Sequence, residues 1–331
     1  MLALGLQGSP RKKGNSDVLL TMFMQALERQ GAETMTIDVC RRTIEPCKEL
    51  VVCEKKGFCP IDDDMSREIY GLLRQADIVV AASPVFFYGV TAQLKALIDR
   101  CQTLWARRYT LKLNDPGHKA RRGFMLAVGA TSGKQLFDGL NLTAKYFFDG
   151  ISAQYAGTLA YRHIEKRGEM AAHPTAQAEV EQAAQSLVQG LAGRSKVLFA
   201  CRENACRSQM AAAFARLYGG ERWDVASAGS QPAAQVNPDM VTVMEERGID
   251  MGFLTTRGLE AAIARHRPEA IVTMGCGEQC PLVPGARRED WDLPDPAGQS
   301  IEMMRALRDQ IETKVKAFVA PYPHREAMPW R

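Results

Sequence analysis

The chain has 331 residues, 46% apolar and 24% charged, a length and composition suited to two soluble globular domains. No apolar run approaches the about 18 residues of a membrane span, and a net charge of +4 is too mild to imply nucleic acid. The start, MLALGLQGSPRKKGN, lacks the basic and long apolar regions of a secretory signal, so a cytoplasmic location is expected. In that setting the nine cysteines are expected as thiols, catalytic pairs or metal ligands, not as structural disulfides.

In chain order, LALGLQ, ETMTID, DIVVAAS, GFMLAVG and ISAQYAGTL have the apolar content of buried strands. Residues 15–30, 64–75, 91–104, 135–149 and 174–192 carry helical patterns, the last ending at Gly193, a natural stop. The alternation then restarts. KVLFA, WDVASAG and PEAIVTMG are predicted strands, and 206–218, 237–248 and 299–319 predicted helices. Strand-then-helix repetition predicts an α/β chain of two doubly wound parallel-sheet domains, over 1–193 and 194–331. The tail PYPHREAMPWR has no periodicity and is expected as an extended arm.

Three loops in the first half follow predicted strands, where ligands bind in such sheets. Gly8-Ser9-Pro10-Arg11-Lys12-Lys13-Gly14-Asn15-Ser16 opens the first helix. It is not a dinucleotide fingerprint; its hydroxyls, amide and N–H groups suit one terminal phosphate at a helix N-terminus. Ser83-Pro84-Val85-Phe86-Phe87-Tyr88-Gly89 offers backbone polar groups and aromatics to a flat ring, and Gly129-Ala130-Thr131-Ser132-Gly133 follows the next strand. Each loop alone is ordinary turn chemistry; together they favour a mononucleotide cofactor. The pattern GSPRKKGNS, IDDDM, SPVFFYGVTAQLKALIDR resembles the NADPH-dependent FMN reductases and iron–sulfur flavoproteins, over about residues 1–190. The resemblance implies a flavodoxin-like fold and FMN, with Ser9, Arg11, Asn15 and Ser16 at its phosphate. It places Pro84, Val85, Phe86 and Gly89 beside the ring, with Gly129 and Thr131 on the third loop, and implies NAD(P)H as reductant and a homodimer or tetramer. Members with a [4Fe-4S] cluster carry four cysteines in a C-x2-C-x2-C-x5-C array. Here Cys47, Cys53 and Cys59 are present and Leu50 stands in the second place. The alternatives to a cluster are a degenerate remnant, thiols that exchange with the other domain, or thiols for trivalent arsenic.

In the second half, Cys201-Arg202-Glu203-Asn204-Ala205-Cys206-Arg207 lies between the strand KVLFA and the helix opening at SQMAAAFARLY. A cysteine and an arginine bracket a loop whose N–H groups turn inward beside a helix N-terminus. Arg207 can grip two oxyanion oxygens through its planar fork. The same positive field favours thiolate over thiol at Cys201, and the thiolate is the nucleophile. A buried cysteine beside a helix start is the bland reading; strand, spacing, arginine and helix in register favour a site for arsenate or phosphate. SAGSQPAAQVNP (227–238) is a small-residue loop able to pass close by. Asp295, in DLPDP, can protonate a departing oxygen, or simply cap the next helix.

A phosphatase needs one thiolate; a reductase must supply two electrons and so needs further thiols. Cys276 and Cys280 follow the strand PEAIVTMG, with glycines flanking Cys276 and a proline after Cys280, which suggests a loop able to close the pair. As zinc ligands they are only two. VLFACRENACRSQMAAAF, SAGSQPAAQVNP, VTMGCGEQCP and DWDLPDPAG resemble, in order and spacing, the arsenate reductases of the low-molecular-weight tyrosine phosphatase fold. The resemblance spans residues 195–319. It implies Cys201 as nucleophile, Arg207 and the amides of residues 202–208 as the arsenate cradle, and Asn204 and Ser208 as loop-orienting residues. It implies Asp295 as general acid and Cys276 and Cys280 as the redox relay, with Cys206 a rival resolving thiol inside the loop. Ala297-Gly298 stand where the phosphatases carry tyrosines. The expected function is arsenate reduction, with the flavin domain, thioredoxin or a small thiol supplying electrons. The rivals are a tyrosine phosphatase under flavin-linked redox control and a non-catalytic arsenic or redox sensor.

Overall fold

The computed structural model describes residues 1–275 and 283–320. The chain divides into two compact units, Met1–Ala192 and Gly193–Arg331.

In the first unit β1 (Leu2–Gln7) runs into α1 (Asn15–Arg29), β2 (Glu33–Asp38) and the short α2 (Val52–Lys56). A π-type turn, Met65–Ile69, leads into α3 (Tyr70–Gln75) and β3 (Ile78–Pro84). Then come α4 (Ala92–Arg100), α5 (Gln102–Tyr109), β4 (Arg122–Val128), α6 (Asp138–Gly150), β5 (Gln154–Tyr161) and α7 (Ala176–Gln189). All pairings are parallel, in the order β2-β1-β3-β4-β5, the doubly wound order of flavodoxin-like sheets. The central strands are buried on both faces, which is why IVVAAS and GFMLAV are continuous apolar runs. Leu19, Leu20, Phe23 and Leu27 of α1 and Val180, Ala184 and Leu187 of α7 pack on one face with Ile78, Val80 and Phe124.

The helix expected over 91–104 is two helices, broken at Cys101. The Arg100 carbonyl accepts a bond from Tyr70 Oη at 2.8 Å. Its guanidinium is held by Asp63 at 2.5 Å and by the Glu45 carbonyl at 2.8 Å. Tertiary partners thus claim the residue at which the helix would continue.

In the second unit β6 (Ser195–Cys201), α8 (Arg207–Gly219), β7 (Trp223–Gly229), α9 (Pro238–Glu245), α10 (Leu259–His266), β8 (Ala270–Met274), β9 (Arg287–Asp290) and α11 (Ile301–Val319) follow in turn. Its parallel sheet has the order β7-β6-β8-β9. The period-2 alternation of β6 decides what Cys201 faces. Leu198 and Ala200 pack with α10 residues Leu259 and Ala262. Val197, Phe199 and Cys201 pack on the opposite side with Met210, Phe214, Leu307 and Ile311 of α8 and α11. Helix α8 is apolar almost all round because strands and α11 enclose it.

Candidate active site and cofactor-binding loops

Cys201 ends β6 and Arg207 opens α8, so the residues between them close a loop around a helix N-terminus. Cys201 is 3% exposed. Its Sγ accepts the Asn204 N–H at 3.2 Å and lies 3.0 Å from Ser208 Oγ. Asn204 Nδ2 donates to Ser208 Oγ at 2.8 Å, which leaves the serine O–H to point at the sulfur. Asn204 takes a left-handed φ of 52°, a conformation asparagine tolerates. Its Oδ1 accepts from the Arg257 N–H at 2.9 Å and from Gln209 Nε2 at 3.2 Å. Every polar atom of the Asn204 carboxamide is therefore used to hold the loop.

The 227–238 loop passes close by, as expected from its small residues. The N–H groups of Ser230, Gln231, Ala233 and Asn237 donate to the carbonyls of Cys201, Arg202, Glu203 and Ala205 at 3.2, 2.8, 3.0 and 2.9 Å. These bonds draw the loop carbonyls toward residues 230–237, while the Asn204 N–H turns to the Cys201 sulfur. Two glycines make room. A Cβ on Gly229 would sit 2.6 Å from the Asn204 nitrogen, and one on Gly275, at φ +70°, 2.8 Å from Arg207 Nη1. Sequence reasoning missed Gly229, Gln209 and Arg257, and it marked Gly275 only as a flank of Cys276, not for its approach to Arg207.

The Arg207 side chain is 9% exposed and its Nη2 lies 3.4 Å from Oδ1 of Asp295, whose side chain is 66% exposed. The carboxylate thus lies on the solvent side of the buried arginine. Asp295 Oδ1 also accepts the Ala297 N–H at 3.3 Å, whereas the cap of α11 is Ser300, whose Oγ accepts the Met303 N–H at 3.3 Å. Cys206 is buried against Met304, 3.4 Å between sulfurs. Burial, and then the charge of Cys201, push its thiol up to about 12. Arg202 and Glu203 are exposed, Arg202 Nε donating to Gln231 Oε1 at 3.1 Å. Cys276 and Cys280 lie outside the described residues.

In the first unit the three loops leave the carboxyl ends of β1, β3 and β4, which are neighbours in the sheet. Thr91 Oγ1 donates to the Gly8 carbonyl at 2.5 Å and so ties the first loop to the second. Ser9 is buried, its N–H donating to Gln7 Oε1 at 2.7 Å and its Oγ accepting the Arg11 N–H at 3.3 Å. No side chain caps the N-terminus of α1 at Gly14, so its first amides are open to an anion. Ser16 is buried beside them and Arg11 is exposed. The Asn15 carboxamide is engaged elsewhere: Nδ2 donates to the Lys166 carbonyl at 2.9 Å and Oδ1 accepts the Met170 N–H at 3.2 Å. Pro84 and Val85 are half-buried. Phe86 and Gly89 exchange backbone bonds at 3.0 and 2.9 Å around Phe87 and Tyr88, both left-handed at φ 46° and 63°. This tight turn leaves Phe87 fully exposed and Phe86 and Tyr88 half-exposed. Strained aromatics held in the open are a ready face for a planar ring. The Gly129 backbone is spent on Tyr161 and Ile164, at 2.8 and 3.0 Å, and Thr131 is exposed in the loop beyond.

The donor set does not fit a four-thiolate cluster. Cys47, Cys53 and Cys59 line one cavity, but Leu50 occupies the fourth place and is 53% exposed. Among the described residues no three His, Cys, Asp or Glu side chains are gathered to hold a metal ion. No described helix is long and apolar enough to cross a membrane.

Residues 1–149 match the family model of NADPH-dependent FMN reductase, and residues 196–326 that of low molecular weight phosphotyrosine protein phosphatase. The second region is 39% identical to a glutaredoxin arsenate reductase of Synechocystis sp., over 38% of this chain and 96% of that protein. It is 36% identical to an arsenate reductase 2 of Staphylococcus saprophyticus, with 38% and 96% covered. The first region is 39% identical to an iron-sulfur flavoprotein of Methanocaldococcus jannaschii, over 31% of this chain and 53% of that protein. The chain thus spans about half the length of that flavoprotein. Through its second unit, the chain belongs to the low molecular weight phosphotyrosine protein phosphatase family, with arsenate reductases among its relatives, and carries an FMN reductase-type region ahead of it.

Proposed function

We propose that the chain reduces arsenate to arsenite, with Cys201 as nucleophile. The carrying observation is the Cys201 sulfur seated on the Asn204 N–H and beside Ser208, with Arg207 opening the helix next to it. Arg207 and the inward amides hold the tetrahedral oxyanion. Cys201 attacks arsenic, forming an S–As bond, while Asp295 gives a proton to the oxygen that departs as water. Cys276 then attacks the Cys201 sulfur. The S–As pair of electrons stays on arsenic, which leaves as arsenite, and the two sulfurs are oxidised to a disulfide. Cys280 displaces Cys201 and closes a Cys276–Cys280 disulfide, returning the nucleophile.

That disulfide needs two electrons per cycle. The first unit suits FMN: α1 presents open amides to a phosphate, Ser9 and Ser16 lie beside them, and the Phe86–Gly89 turn offers a face to the ring. FMN bound there would supply electrons drawn from NAD(P)H; a glutaredoxin or thioredoxin-type thiol is the other source. Arsenite release from arsenate tests the reading, with Cys201→Ser expected to lower turnover at least about a thousandfold while FMN binding stays intact. Turnover retained in Cys201→Ser overturns it. Hydrolysis of an aryl phosphate at full rate in Cys276→Ser, with no arsenite formed by the unaltered chain, would make the protein a phosphatase instead.

A further inference from the structure

The cavity lined by Cys47, Cys53 and Cys59 has a volume of about 440 Å³, with Leu50, Arg100 and Thr103 in its wall. Cys53 lies in α2, a helix of only five residues, and none of the three thiols is in a disulfide. Glu49 and Val51 hold left-handed φ angles of 52° and 60° on either side of Leu50, which is turned half outward. The segment therefore presents three sulfurs and an apolar side chain where a cubane would need a fourth thiolate. The buried charge in the wall is neutralised. Arg100 is paired with Asp63 at 2.5 Å, both 1% exposed. Three sulfurs around one cavity, with no thiolate in the fourth place, suit a three-coordinate partner better than a cubane.

Trivalent arsenic has that chemistry. It is neutral as As(OH)3, takes three sulfurs in a pyramid, and fills its fourth direction with a lone pair. We propose that Cys47, Cys53 and Cys59 form a binding site for trivalent arsenic, with Leu50 over the side that takes no ligand. Three S–H and three As–OH bonds are exchanged for three As–S bonds and three waters; arsenic remains trivalent and no electron moves. The thiols line the cavity without meeting at one point, so binding draws them together, and the short α2 with its left-handed entry is the part that yields. The proposal rests on the arsenate-reducing reading only for the source of arsenite: the product of the second unit is retained by the first.

The test supplies sodium arsenite directly to the reduced full-length chain and measures protein-bound arsenic after gel filtration. Cys201→Ser, Cys276→Ser and Cys280→Ser are combined as the background, so that relay thiols do not contribute. We expect about one arsenic per chain, with sulfur as its only neighbour in the arsenic X-ray absorption spectrum. Cys53→Ser on that background lowers retention at least tenfold. Cys47→Ser, at an exposed position, does the same and covers the case in which Cys53→Ser loses its fold. Retention unchanged in both variants overturns the site. So does anaerobically isolated protein that carries iron and sulfide on these thiols and does not exchange them for arsenite. Because arsenite is supplied, the result does not depend on turnover. Arsenite bound by a chain that never reduces arsenate sinks the functional reading alone, and turnover without arsenite binding sinks this proposal alone.

Discussion

Two cysteines inside one loop have opposite surroundings. Cys201 faces donors, the Asn204 N–H at 3.2 Å and Ser208 Oγ at 3.0 Å. Cys206 faces Met304 and the core, and burial leads the causes that push its thiol up to about 12 from 9.0. The thiolate is the reactive form, so Cys206 is much less reactive than an ordinary thiol near neutral pH. Iodoacetamide at pH 7 should therefore label Cys201 and spare Cys206, as peptide mass spectrometry would read. Cys206 labelled as fast as Cys201 would restore it as a rival resolving thiol. Asn204 and Ser208 came only from the family resemblance; Cys201 and Arg207 were legible because a strand, a fixed spacing and a helix start carry their own signal. Gln209 and Arg257 were not. Their roles rest on bonds to Asn204, and Arg257 is brought there from 53 residues away through its backbone nitrogen. Asn15 shows the same limit from the other side: its carboxamide looked free for a phosphate but is held by Lys166 and Met170, residues no local pattern connects to it.

At the scale of elements, the central strands and long helices were legible because apolar runs and 3.6-residue spacing mark them. Two were not. β9 has the sequence RRED and a largely exposed edge, so no apolar alternation announces it. α10 is eight residues long and starts at Gly258 without a side-chain cap. Some elements are joined by buried charge instead of apolar contact. Asp115 binds Arg74 Nη1 at 3.0 Å and the Arg121 guanidinium, and Arg121 reaches the Ala76 and Ile151 carbonyls at 3.0 and 3.1 Å. The cluster thus links α3, the segment leading into β4 and the turn before β5. Burial alone would raise the Asp115 carboxyl, but Arg121 and then Arg74 bring it from 3.8 down to about 2. A depressed folded value means the stabilisation is complete above the unfolded value and is lost as pH falls from about 4 toward 2. Asp115→Asn should cost about 3 kcal/mol at neutral pH, because two guanidinium groups lose their buried partner. It should also flatten the acid limb of the stability curve. Urea unfolding at pH 7 and pH 3 checks both; an unchanged midpoint at pH 7 would mean the cluster contributes nothing.

For the whole molecule, the last turn of α7 and the first residue of β6 are separated only by residues 190–194. Covalent joining raises the effective concentration of one unit at the other. The central claim is narrower: arsenate is reduced by this chain's own thiols, starting at Cys201. The direct measurement is a single turnover of the fully reduced chain, freed of reductant and NAD(P)H and mixed with excess arsenate, with arsenite and free thiols counted together. The account predicts about one arsenite per chain, a loss of two thiols for each, a disulfide mapped to Cys276 and Cys280, and none of these in Cys201→Ser. Arsenite formed with the thiol count unchanged, or thiols lost equally in Cys201→Ser, would contradict it.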